Sequence, residues 1–256
     1  MNNWTDTHCH VLPEEYQNYN EILKALEKNN LKRIIVNGYD LESNKNVLKL
    51  VDQYPNVYGA LGLHPDNIDD NYEKTIGFIK KNINHPKIIA VGEIGLDYYH
   101  NKDNKEQQIL LLKQMLQIAQ DNQKPVIIHN REATKDLIDT LKEFSTKGII
   151  HCFSGSKETA NILLSMGYKL GIGGTLTFKN SKLKEEIKDL PISSFLLETD
   201  APYLTPEPYR GQENEPKYIK YTAIKLTEVL NLSLEELEAE LEKNYTSLFD
   251  NNNWIW

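Results

Sequence analysis

The chain has 256 residues, 39% hydrophobic and 26% charged, which is enough apolar material for a core and excludes a disordered tail. A net charge of -8 without any Lys/Arg-rich run excludes the broad basic face that holds long duplex DNA non-specifically, so a nucleic-acid substrate would have to be gripped locally. No stretch approaches the ~20 apolar residues of a membrane span, "MNNWTDTHCH" lacks the regions of a signal peptide, and cysteines number only two, so a reduced, cytoplasmic protein is expected.

In chain order, eight β-rich runs alternate with amphipathic ones. The first, "WTDTHCHV", carries His8 and His10 one residue apart. Alternation in an extended chain turns both to one face and Cys9 to the other. "KRIIVNG" follows, then "VYGALGLHP", ending at His64, and "KIIAVGEIGLD", whose end is read as carrying Glu93. Ile109, Leu112, Met115 and Ala119 recur at helical spacing before "KPVIIHN", which ends with His129. Leu137, Ile138, Leu141 and Phe144 make a second helical face ahead of "KGIIHCFS", which carries His151. "YKLGIGGTL" and "SSFLLETDAP" complete the set, the last ending at Asp200. Ser233 and Glu236 have capping-box spacing ahead of Leu237 and Leu241, so the C-terminal segment is read as helical.

Strict β–α alternation predicts a parallel sheet, and eight units are the number that closes a (β/α)8 TIM barrel. No low-complexity linker or charge block divides the chain, so residues 1–256 are read as one barrel domain. The alternative is an open doubly wound sheet. Against it, the first β-to-α turn carries no glycine fingerprint for a dinucleotide.

In such a barrel the site lies at the C-terminal ends of the strands, and five of the seven histidines fall there. One buried histidine is satisfied by a single hydrogen bond. Four histidines and two carboxylates (His8, His10, His129, His151, Glu93 and Asp200) converging on one mouth would each cost about 1–3 kcal/mol if uncompensated. A divalent cation removes the difficulty by taking them as ligands. Six ligands exceed what one catalytic zinc with an open position takes. They suit two ions roughly 3.5–4 Å apart, with Glu93, on the middle strand of the set, as the bridge. Mixed nitrogen and oxygen donors admit zinc, manganese or magnesium.

"TDTHCH", "GLHP", "GEIGLDYY", "IHNRE", "HCFSG", "TFKN" and "ETDAPYLTP…RG…NEP", in this order, resemble the motifs of the TatD family of metal-dependent deoxyribonucleases, which are amidohydrolase-like TIM barrels. The resemblance runs from Thr5 to "NYTSLF" near the C-terminus. It implies that His8, His10, Glu93 and Asp200 hold one metal and that Glu93, His129 and His151 hold the second. It places His64 near the substrate and not among the principal ligands. The family activities it implies are removal of nucleotides from 3′ ends and DNA cleavage, while some relatives hydrolyse misacylated transfer RNA. Glu132 stands where the family commonly has Asp, at a position that is not a ligand.

In this reading the catalytic residues are Asp200 and Glu93. Asp200 lies beside the attacking water, either as ligand and general base together or as ligand alone. Glu198 shares its face two residues upstream and is either a support for the ligands or a buried structural partner. Arg131, Lys179 and Arg210 are candidates for phosphate oxygens. Tyr98, Phe153 and Tyr203 are candidates for base stacking, set against simple packing. Cys9 and Cys152 are read as small buried residues, because a Cys–His mechanism leaves the carboxylates without work. The leading expectation is a phosphodiesterase acting on single-stranded DNA or strand ends. The second is an amide or ester hydrolase, such as a deacylase of misacylated transfer RNA, because the same activated water attacks a carbonyl. A non-catalytic binding protein is a distant third, since the full ligand set is kept.

Overall fold

The computed structural model describes residues 3–249. Its eight strands are β1 (Trp4–Cys9), β2 (Leu31–Asn37), β3 (Val57–Leu61), β4 (Ile88–Asp97), β5 (Val126–Arg131), β6 (Gly148–Ile150), β7 (Tyr168–Ile172) and β8 (Phe195–Leu197). They lie parallel and in chain order around one sheet. Between them run α1 (Tyr19–Lys24), α2 (Leu41–Gln53), α3 (Tyr72–Asn82), α4 (Lys105–Asp121), α5 (Thr134–Leu141), α6 (Lys157–Ser165) and α7 (Leu183–Ile187). Two helices follow β8: α8 (Ile219–Leu230) and α9 (Leu234–Phe249). This is the expected (β/α)8 TIM barrel, with one helix more than simple alternation requires. No helix among the described residues is long and apolar enough to cross a membrane.

The strands read as nearly continuous apolar runs because both of their faces are covered. One face meets the helices. The other contributes Ile35, Ala60, Ala90, Ile127, Ile149 and Leu196, one residue from each of six strands, to a separate buried cluster. Tyr245 and Leu248 of α9 join that cluster, so the extra helix plugs one end of the barrel interior. Arg33 fixes the plug, its guanidinium 3.7 Å from the Tyr245 ring centroid and paired with Glu242. The predicted capping box starts α9: Glu236 accepts from Ser233 N at 2.9 Å, and Ser233 Oγ accepts from Glu236 N at 3.2 Å.

Closure of the barrel rests on the seam between its first and last strands. Thr7 Oγ1 donates to Leu197 O at 2.9 Å, Asp200 N to His8 O at 2.9 Å, and His10 N to Ala201 O at 2.7 Å. Beneath them the buried Asp6 carboxyl accepts from His8 N at 3.2 Å and Thr199 N at 3.0 Å, and bonds the Thr199 hydroxyl. Burial pushes this carboxyl up to about 8, so it sits largely neutral at pH 7. The same residues that close the barrel flank three of the proposed ligands.

This clasp is testable. Asp6→Ala strands two buried backbone N–H groups at about 1–3 kcal/mol each, so urea unfolding should show a loss of about 2–6 kcal/mol. Asp6→Asn keeps the accepting oxygen and the neutral form, and should stay within about 1 kcal/mol of wild type. Equal losses in the two variants would mean that these hydrogen bonds do not hold the seam.

Candidate metal centre

The six sequence-derived ligands come together, though not all from strand ends. Glu93 lies in the middle of β4, at a register irregularity between Val91 and Ile94, and His129 lies within β5. β6 and β8 stop short, so His151 and Asp200 stand on the loops that follow them, as His64 does after β3. The irregularity at Glu93 matters because a regular strand would not deliver its side chain this way. Glu93 N donates to Gly38 O at 2.9 Å across the sheet. Gly62 permits the approach from the other side: a Cβ there would stand 2.3 Å from the Gly92 carbonyl carbon. Asn44 pins Gly62 by bonding both its carbonyl and its N–H.

The Glu93 carboxylate faces two groups of imidazoles. Its Oε2 is 3.5 Å from His8 Nε2 and 3.4 Å from His10 Nε2. Its Oε1 is 3.1 Å from His129 Nδ1 and 3.2 Å from His151 Nε2. Asp200 Oδ1 closes the first group, 3.4 Å from His8 Nε2 and 3.8 Å from His10 Nε2. As alternation required, the His8 and His10 rings converge, with their Nε2 atoms 3.1 Å apart, while Cys9 turns away to bond Ile35 O. Asp200 is held in the left-handed region (φ 56), a conformation that Asp tolerates better than most residues.

Three imidazoles are oriented from behind. His10 Nδ1 donates to Asn37 O at 2.9 Å, which leaves Nε2 free for a ligand. His129 Nε2 donates to Asp97 Oδ2 at 3.0 Å, so Nδ1 is its free nitrogen. His151 Nδ1 lies 3.3 Å from Glu198 Oε1, which also accepts from Cys152 N. Glu198 thus reaches His151 and is fully buried; Gly171 makes room for it, since a Cβ there would stand 2.2 Å from Glu198 Oε2. Asp97 went unrecognised in the sequence. The signal was present: Glu93, Gly95 and Asp97 are two residues apart along one strand and share a face. Asp66 and His100, missed as well, cluster with Asp97 at the mouth, with His100 Nδ1 3.2 Å from Asp66 Oδ2.

His64 behaves differently. Its Nδ1 accepts from Asp66 N at 3.2 Å, and burial pushes the ring down to about 3, so it is neutral with the proton on Nε2. That Nε2–H points toward Glu93 Oε1 from 3.7 Å. It is a donor facing the cavity, not a free nitrogen for a cation.

The electrostatics favour a cation. Burial opposes ionisation of Glu93, yet the charge of His151 and the His10 hydrogen bond hold its carboxyl well below the usual range. Burial likewise opposes ionisation of Asp200, but the His8 hydrogen bond keeps it low. The His8 ring is pushed down by burial and by His151 stacked on it at 3.8 Å. His10, His129 and His151 are raised against burial by their carboxylate partners. Ionised carboxylates that draw protons onto neighbouring imidazoles are the arrangement in which a divalent cation displaces those protons. His8 Nδ1 is buried without a hydrogen-bond partner, so nothing behind that ring competes with ligation through Nε2. Two overlapping groups of the expected ligands have metal-ligand spacing, His8–His10–Glu93 and His8–His151–Asp200; in a third, His64–Glu93–His129, only Glu93 and His129 offer a free donor atom. The donor set fits zinc, manganese or magnesium.

The centre lies in a cavity of about 760 Å³. Arg131 and Tyr203 line it; Lys179 and Arg210 do not. Lys179 is exposed elsewhere, and Arg210 lays its guanidinium 3.8 Å from the Phe178 ring centroid. Tyr98 and Phe153 are buried packing residues, at 5% and 4% exposure, whereas Tyr203 is 51% exposed. Glu15 steadies Tyr203 and Tyr39 at the rim by accepting from both hydroxyls. Cys152 also lines the cavity, but burial pushes its thiol up to about 12, which makes it a poor nucleophile.

Residues 5–250 match the family described as TatD related DNase. The chain is 37% identical over 249 residues to the uncharacterized metal-dependent hydrolase YabD of Bacillus subtilis, covering 95% of this chain and 98% of that protein. It is 31% identical over 252 residues to the uncharacterized metal-dependent hydrolase YcfH of Escherichia coli, covering 95% and 94%. The crystal structure of YjjV, a TatD homolog from Escherichia coli, superposes with a TM-score of 0.89 at 32% identity, covering 97% of this chain and 98% of that one.

Metal analysis separates the roles. Glu93→Ala should deplete bound metal more than any single histidine change, because it faces both groups. His64→Ala should keep wild-type metal content and lose turnover. Cys152→Ser should keep both. Full metal occupancy in Glu93→Ala would remove it as a shared ligand, and depletion in His64→Ala would make His64 a ligand after all.

Proposed function

The chain belongs to the TatD-related DNase family of metal-dependent hydrolases, and from that premise we propose that it is a deoxyribonuclease that cuts phosphodiester bonds at single strands and strand ends, from the 3′ end inward. In this proposal the residues on either side of the Glu93 carboxylate would hold two divalent cations. The observation that carries it is the division of that carboxylate, Oε2 toward His8 and His10 and Oε1 toward His129 and His151. When bound, the cations lower the pKa of water and offset negative charge on the phosphate.

The chain's own residues supply the rest. His8, His10, Glu93 and Asp200 would hold one cation, and Glu93, His129 and His151 would hold the other. Asp200, ionised and facing the cavity, accepts the proton of the attacking water. The His64 Nε2–H donates to a phosphate oxygen. Arg131, its guanidinium 3.9 Å from the Tyr99 ring centroid, presents its fork to the phosphate backbone. The half-exposed Tyr203 ring offers a face to the terminal base. An acidic protein without a basic face binds its strand through these local contacts, which favours ends over long duplexes and suits a cytoplasmic enzyme.

The test uses the metal-loaded enzyme with a 5′-labelled single strand, its duplex and a misacylated transfer RNA. Shortening of the single strand before the duplex is expected. Acyl release with an intact backbone would overturn the nuclease in favour of the deacylase. Within the nuclease reading, Arg131→Ala removes a charge-assisted hydrogen bond worth about 1.5–3 kcal/mol and should raise KM for the strand about 10–100-fold. The value of kcat should change far less, as loss of uniform binding requires. An equal fall in kcat and kcat/KM would place Arg131 in the chemical step instead.

A further inference from the structure

A second cavity, of about 320 Å³, shares no lining residue with the metal cavity. Lys28, Lys217 and Lys220 line it together with Tyr209, Tyr218 and Tyr221. Tyr209 stacks on Tyr218 with ring centroids 4.6 Å apart, Tyr221 tilts against both, and the Tyr221 and Tyr209 hydroxyls are 3.1 Å apart. The Lys217 and Lys220 ammonium groups stand 5.0 and 5.2 Å from the Tyr218 and Tyr221 ring centroids. Lys217 is paired with Glu215. Lys28 and Lys220 pair with no carboxylate among the described residues.

Two segments far apart in sequence therefore bring three ammonium groups and three phenols to one hollow, on a protein of net charge -8. Lys28 and Lys220 are exposed, and their convergence with Lys217 on one hollow sets like charges against each other. An anion accounts for the lysines, and an aromatic group carried by that anion accounts for the tyrosines. The volume lies at the lower end of ligand pockets, the size of a single nucleotide unit and not of a duplex. Lys28, Asn29 and Asn30 directly precede β2, at the end of that seven-residue strand away from the metal centre, so a single strand that reaches both places runs along the flank of the barrel for roughly 20 Å or more.

The geometry points to this hollow as a second nucleotide site, in which the lysines take a backbone phosphate of a single strand and the tyrosines its base, while the end of that strand lies at the metal centre. The inference rests on the DNA reading of the metal cavity. It makes the enzyme grip its substrate at two separate places, which compensates for the missing basic face.

Fluorescence anisotropy tests it with the as-purified protein and a labelled oligothymidylate of about 12 nucleotides, phosphorothioate-linked to resist cutting. Lys28→Glu/Lys220→Glu should weaken binding at least tenfold and flatten the slope of log Kd against log salt by about 0.7, the value for the one phosphate that is no longer neutralised. Lys28→Gln/Lys220→Gln should show a smaller loss in the same direction, and thermal melting confirms that both variants fold. Lys80→Glu/Lys81→Glu, which makes the same change of net charge on exposed residues of α3, should leave affinity within about twofold. Unchanged affinity in the Lys28/Lys220 variants overturns the site, and so does an equal loss in the Lys80/Lys81 control. Cutting of an unmodified strand, followed in parallel, separates this inference from the one beneath it. A strand bound through the lysines but never cut removes the nuclease and keeps the pocket; a strand cut normally, with affinity indifferent to the lysines, removes the pocket and keeps the nuclease.

Discussion

One buried carboxylate organises this molecule. An ionised group with only 5% exposure carries a desolvation penalty of several kcal/mol, and Glu93 tolerates it only because an imidazole stands opposite each of its oxygens. Those imidazoles come from β1, from β5 and from the loop after β6. The backbone is shaped to the same end. β4 breaks its register at Glu93, Gly62 gives way beside it, and Asn44 holds Gly62 in place from α2. A side chain at Gly62 would meet the Gly92 carbonyl carbon at 2.3 Å and the Glu93 backbone nitrogen at 2.5 Å, and so would displace the residue that carries the carboxylate.

The second constraint is that the first and last strands both serve the centre. His8 and His10 come from β1 and the residue after it, and Asp200 comes from the loop after β8. Their backbones bond each other across the seam, so the ligand group of His8, His10 and Asp200 exists only when the barrel is closed. Stability and metal affinity are then linked: a cation that binds only the closed barrel stabilises it by mass action. The division of labour between the two ends of the barrel follows. α9 fills one end with Tyr245 and Leu248, leaving the other to polar groups.

The sequence made the architecture legible because parallel strands covered on both faces are written as apolar runs, and polar residues at their ends stand out against them. It made the ligands legible for the same reason. What it hid is what depends on backbone irregularity or on residues distant in the chain. Glu93 read as a strand end because nothing in "AVGEIGLD" announces a break in register. Glu198 and Asp200 read as one face of one strand, yet β8 stops at Leu197 and the left-handed turn at Asp200 sends the two carboxylates to different histidines. Arg210 and Lys179 read as phosphate contacts by charge and position, and their loops carry them out of the cavity. Asp6 was silent because its value lies in closing the seam, a pairing 193 residues apart.

These observations bear on how an acidic protein holds a polyanion. Long-range attraction would require a basic surface, and net charge -8 works against it, most of all at low ionic strength. Short-range grip does not have that requirement, because the exposed Arg131 fork and a few unpaired lysines act over hydrogen-bond distances. Under the proposed function, such an enzyme would gain little from sliding along duplexes and much from meeting an end that threads into its cavity. Binding then depends on how many local positive points a flexible strand reaches at once, since each further point engaged by a tethered strand acts at high effective concentration. Under the proposed function, a short, stiff or fully paired substrate would reach fewer of them, so the electrostatics that weaken capture of duplexes would also select for frayed and single-stranded ends.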